Sequence, residues 1–84
     1  MHTLDLKALK RKNMAALSHV QLGALYQHKK SSKYYIAKLV SLREEDLEPL
    51  VTYSPLSHND VAFTRPLEEF KERFVKMPAR AGLL

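Results

Sequence analysis

Residues 47–53 read LEPLVTY, residues 54–63 SPLSHNDVAF and residues 64–70 TRPLEEF. Pro49 opens a β-branched and aromatic run over 49–53, and 61–64 is a second short run of the same kind. Between them lies a loop carrying Pro, Ser, Asn and Asp, the residues that turn chains. Pro66 stands where its fixed φ and missing N–H suit a first helical turn, and Glu68 and Glu69 follow where carboxylates favour the positive end of the helix dipole. The stretch therefore reads strand, loop, strand, helix. Leu67, Phe70, Phe74 and Met77 are spaced three, four and three apart, one apolar stripe. It predicts a helix from 66 to about 77 whose stripe is core rather than a cofactor box. Pro78 ends that helix, and ARAGLL follows as a loose tail.

Upstream, the period is again two. Ala24, Tyr26 and His28 alternate with Leu25 and Gln27 into the turn-like KKSSK at 29–33, and 34–42 is a β-rich run with one charge, Lys38, inside it. This pattern predicts a hairpin, followed by an exposed loop at REED, 43–46. Residues 3–21 contain neither Gly nor Pro and are rich in good helix formers. Thr3 or Asp5 is the expected cap, and Gly23, able to take positive φ, the expected stop. Leu6, Leu9, Leu17 and Val20 share a face if Asn13 or Met14 fills the turn between them. Docking through Leu6, Leu9 and Leu17, on the sheet or on a second chain, is the expectation.

An 84-residue chain supports one domain with a small core. The expected divisions are a basic helical extension at 1–22, a β unit with its closing helix at 23–77 and a tail at 78–84. No apolar run approaches the roughly 20 residues that span a bilayer. The basic N-terminus is followed by no apolar stretch of the kind a secretory signal needs, and Asp5 and the scarcity of Ser and Arg count against an organelle presequence. With no cysteine there is neither a disulfide nor a thiolate metal site, so cytoplasmic residence is the expectation. The net charge of +5 is unevenly spread: residues 1–43 carry nine Lys and Arg against Asp5, a balance of +8, whereas 44–84 carry five against eight acids, a balance of −3. Such polarity suits an anionic partner on one face, or pairing of the two halves in a fold or oligomer.

Tyr26, His28, Lys30 and Tyr34, then Leu47, Glu48, Leu50, Val51 and Tyr53, then Arg65, Pro66, Leu67 and Phe70 together form an ordered set of three segments. The set resembles a small bacterial family, number 1653 among the domains of unknown function, whose members read Y-x-H-Y-K-G, then E-x-L-E-x-[LM]-V-V-Y, then W-V-R-P-L-x-x-F. Ser31 stands where that family usually has Gly, Phe63 replaces its Trp, and His58, Asn59 and Asp60 occupy a loop that is usually glycine-bearing. The resemblance implies a mainly β fold: an antiparallel sheet over 26–64 curled into a small SH3-like barrel and closed by the short C-terminal helix. The basic N-terminal helix is an addition outside the match. The resemblance implies no activity.

Catalysis finds little support in the residues. The four histidines lack HxxxH or HExxH spacing, so no metal and no cofactor are expected. None of the six serines lies in G-x-S-x-G, and Gly23 and Gly82 alone make no phosphate-cradling loop. Glu44 with Glu45 and Glu68 with Glu69 read as solvated faces rather than a general acid and base, so the chain is expected to be no enzyme. His28, on an alternating strand, reads as hydrogen-bonded to nearby backbone more readily than as a ligand residue. Arg65 offers two readings: an anion site at a helix N-terminus, or an internal clamp paired with Glu48. The charge pattern favours a binding module for RNA or another polyanion, with Lys7, Lys10, Arg11, Lys12, Lys29, Lys30, Lys33 and Arg65 on phosphates and Tyr34 or Tyr35 as a stacking face. A protein-binding or adaptor module, self-associating in one version, is the alternative, and a small nucleotide-like anion is a further one.

Overall fold

In the computed structural model the chain is described over residues 5–78. The elements are α1 (Leu6–Leu17), β1 (Leu25–His28), β2 (Tyr34–Leu42), β3 (Pro49–Pro55), β4 (Phe63–Pro66), α2 (Leu67–Arg73) and β5 (Phe74–Lys76). The five strands form one antiparallel sheet in the order β4-β3-β2-β1-β5. The fold is mainly β, with the expected hairpin β1–β2 and a second, β3–β4, built from the proline-opened stretch. β3 runs two residues beyond 49–53 to Pro55, and β4 occupies 63–66 rather than 61–64.

The largest departure lies at the C-terminal end. The helix that the apolar stripe predicts to about 77 stops at Arg73, and Phe74 leaves helical geometry at φ −125 and ψ 150. Phe74, Val75 and Lys76 pair instead with His28, Gln27 and Tyr26. β1 would otherwise present an unpaired edge of N–H and C=O groups, and three residues ending just before Pro78 satisfy it. Helical spacing does not reveal this switch, because Phe74 is buried under either assignment.

The ladders leave β4 and β5 as the two edges of an open sheet. α2 packs on β3, β4 and β5, and among the described residues no strand pairing joins the two edges. β2 bends where the register slips between Ala37 and Leu39, leaving Lys38 as the extra residue. Lys38, the lone charge in that run, is exposed and its Nζ donates to the Asn59 carbonyl at 2.6 Å, tying the β3–β4 loop to β2.

α1 is shorter than its composition suggests. Asp5 caps it by accepting from the Lys7 and Ala8 N–H groups, while Thr3 lies outside the described residues. It ends at Leu17, before Gly23, which at φ 82 serves the entry to β1 and donates its N–H to the Ala37 carbonyl. The packing face is also different: Ala16 and the following Val20 are buried, Leu9 and Asn13 are half-buried, but Leu6 and Leu17 are exposed. Leu9, Asn13, Ala16 and Val20 keep a 4-3-4 spacing, and the small Ala16 lets the helix approach β2 and β3. The core joins Ala16 and Val20 to Tyr26, Ala37, Val40, Val51, Tyr53, Leu67, Phe70 and Phe74.

Candidate ligand-binding groove

Strand register places the aromatic residues. Tyr26 opposes Tyr35, Ala37 opposes Tyr53, Tyr53 opposes Phe63, Val51 opposes Arg65, and His28 opposes Phe74. Because side chains alternate along a strand, these residues share the concave face. Phe74 is its hub: it stacks on Phe70 at 4.5 Å between centroids and meets Tyr53, Tyr35 and His28 edge-on at 5.0, 5.4 and 4.9 Å. Such offset and edge contacts are the favourable arrangements of aromatic quadrupoles.

Arg65 completes this cluster from the β4 edge. Its Nε donates to the Tyr53 hydroxyl and its Nη1 to Glu69 Oε1, each at 2.6 Å, and its guanidinium lies 5.9 Å from the Phe74 centroid. The Tyr53 bond is the largest influence raising its pKa, and the Glu69 charge adds to it. Glu69 also receives Arg73 Nε at 3.0 Å. Arg65 is thus an internal clamp, as one of its two sequence readings holds, but its acid is Glu69 in place of Glu48. Glu69 is accordingly no bare solvated carboxylate: from the first turn of α2, four positions beyond Arg65 in β4, it reaches the guanidinium. His28 Nδ1 accepts from the Ser31 N–H at 3.2 Å, the backbone role its alternating position suggests.

Outside the clamp, the face opens into a groove of about 730 Å³ between the β1–β2 turn and the β3–β4 loop. Tyr35, Pro55 and Phe63 form its floor side, Leu56, Ser57 and His58 come from the loop, and Lys33 and Tyr34 from the turn. Phe63, Tyr34 and Leu56 are 48%, 43% and 55% exposed, an unusual density of accessible apolar surface. The residues lining the groove include no acid. Ser57 Oγ and His58 Nδ1 are hydrogen-bonded at 2.8 Å, which fixes the loop beside it.

The structure divides the sequence-predicted site. Lys33 and Tyr34 line the groove. Lys30 is exposed in the same turn, whereas Lys29 belongs to the opposite side, where its N–H donates to the Arg73 carbonyl. Lys7, Lys10, Arg11 and Lys12 are exposed on α1, which packs on β2 and β3, so they form a second basic surface. Arg65, 30% exposed, is held at the β4 edge by Tyr53 and Glu69 and does not line the groove. Tyr35, the alternative stacking residue, lines the groove as well. Sequence reasoning missed Pro55, Leu56, His58 and Phe63 as groove residues; the loop's length between two strands is the signal that marks it. Among the described residues no three His, Asp or Glu side chains converge as metal ligands, and no helix is long and apolar enough to cross a membrane.

No curated protein and no solved structure matches the chain. A family does match, over residues 24–79, which takes in every strand and α2 and leaves α1 outside. On that match the chain belongs to the family described as "Protein of unknown function (DUF1653)".

Proposed function

We propose that the protein is a non-enzymatic binding module that takes single-stranded RNA in the groove between the β1–β2 turn and the β3–β4 loop. The observation that carries this reading is the pairing of exposed rings, Tyr34 and Phe63, with Lys33 in a groove whose lining has no carboxylate. Bases stack on aromatic faces irrespective of sequence, and lysines beside them neutralise phosphates; the two together are how single strands are held. Lys30 extends the basic edge, and the α1 cations raise the local concentration of a polyanion without entering the groove. The strand order, with β5 returned beside β1 and α2 bridging both edges, supports an SH3-like half-barrel as the scaffold.

Fluorescence anisotropy with a labelled RNA oligonucleotide of about ten nucleotides separates the two contributions. Tyr34→Ala removes a stack worth about 1–3 kcal/mol and leaves the salt dependence unchanged. Lys30→Ala with Lys33→Ala flattens the log-log salt slope by about 1.4, from about 0.7 per phosphate contact on single strands. No measurable wild-type affinity at low salt refutes the reading.

A second reading, a protein partner, has its own observation. Leu6, Met14, Leu17 and Leu22 are 67%, 69%, 36% and 40% exposed along and just after α1. Capture of a protein from lysate that survives nuclease and is lost in Leu6→Ser with Met14→Ser supports that reading.

A further inference from the structure

On the other side of the β1–β2 turn, away from the groove, a depression of about 390 Å³ opens between β1, α2 and β5. Four basic side chains line it, His19, Lys29, Lys71 and Lys76, over a floor that includes Tyr26 and Phe70, and no acidic residue lines it. They arrive from four separate segments: the α1–β1 connection, the β1–β2 turn, α2 and β5. The fold itself brings them together. Tyr26 and Lys76 are opposed in the β1–β5 ladder, and the Lys29 N–H to Arg73 carbonyl bond, 2.9 Å long, fixes the turn against the end of α2. This convergence exists only because residues 74–76 form β5; a helix continuing to 77 would not put Lys76 beside Tyr26.

Like charges gathered around one apolar floor repel each other unless an anion compensates them. Among the described residues the one carboxylate in an ion pair with any of the four is Glu68, whose Oε2 lies 3.5 Å from Lys71 Nζ with its own side chain 79% exposed. An ion pair that long and that solvated is weak, so a better acceptor displaces it. The volume lies at the small-molecule end of pocket sizes and suits a compact ligand, not a polymer. We infer that this depression binds a small organic molecule bearing a terminal phosphate or diphosphate, the anion held by Lys29, Lys71 and Lys76 with His19 at the rim. The site shares no lining residue with the groove, so it stands whether or not the groove binds RNA.

The test uses the full chain, ¹⁵N-labelled, titrated with ADP and, as the uncharged control, with adenosine. ADP is expected to give saturable amide shifts at Lys29, Lys71, Val75 and Lys76 while Tyr34 and Phe63 stay in place, and adenosine at the same concentrations is expected to give none. Lys71→Gln with Lys76→Gln, verified as folded by its undisturbed spectrum, should weaken ADP at least tenfold. Glu68→Gln, which releases Lys71, should tighten it two- to threefold. Shifts that do not saturate by about 10 mM, equal shifts with adenosine, or an unchanged Kd in the double variant would each overturn the site.

Discussion

Phe74→Ala probes the feature on which both the core and the C-terminal topology depend. Phe74 is 5% exposed and contacts four aromatic rings, including the 4.5 Å stack on Phe70. Truncating a buried Phe to Ala costs about 3–5 kcal/mol through lost transfer energy and the cavity left behind. Each lost ring pair adds a share of the roughly 0.5–1.5 kcal/mol that such geometry contributes, so the upper part of that range is expected here. A domain of 84 residues has about 4–13 kcal/mol of total stability, so the variant should lie close to unfolding. Urea denaturation followed by far-UV circular dichroism reads the loss directly: with a slope of about 1 kcal/mol/M, the midpoint should fall by about 3 M or more. Met77→Ala is the internal control, because Met77 is only half-buried and follows β5. A Phe74→Ala loss below about 1 kcal/mol would refute the aromatic packing, and a larger loss for Met77→Ala than for Phe74→Ala would favour the continuous helical stripe over β5.

Three further outcomes follow from local geometry. Ser32 sits at φ 61, so Ser32→Gly should stabilise the β1–β2 turn by about 0.5 kcal/mol in thermal or urea unfolding, the strain relieved exceeding the added unfolded-state entropy. Arg43 holds the Asp46 carboxyl down from 3.8 to about 2, and Asp46 also accepts from the Glu48 N–H. A depressed carboxyl stabilises above its unfolded pKa and ceases to do so as pH falls through its folded one. The melting-temperature gap between wild type and Asp46→Asn should therefore be constant above pH 4.5 and close as pH falls toward 2. Lys10→Ala with Arg11→Ala and Lys12→Ala should leave the fold intact, since all three are exposed, and weaken RNA binding mainly through the association rate measured by stopped flow.

Much of the sheet was legible because its signals are local. The KKSSK turn, the acidic β2–β3 loop and the proline-opened β3 depend on residues within a few positions of one another. What escaped depends on distant groups. β5 exists because β1 has an edge to fill, and nothing in the sequence from Phe74 to Lys76 announces a partner nearly fifty residues upstream. Asn13 fills the inner face of α1 as one sequence alternative allows, but Ala16 took it in place of Leu6 and Leu17, a steric choice that hydrophobicity alone does not encode. Arg65 illustrates the same limit: its clamp role was readable from its position between strand and helix, but its acid was not, because Glu48 and Glu69 are equally plausible by type. The groove was half legible, through Lys33 and Tyr34, while Phe63 and His58 required the loop to be placed in space.

Chemical-shift mapping of single-stranded RNA on the labelled protein tests the functional reading most directly. The account predicts that a short oligonucleotide at low salt perturbs the amides of Lys33, Tyr34, Leu56, His58 and Phe63 in a saturable manner. The same oligonucleotide should leave those sites unperturbed in Tyr34→Ala with Lys33→Ala. Saturable shifts confined to α1, or none anywhere on the described residues, would contradict it.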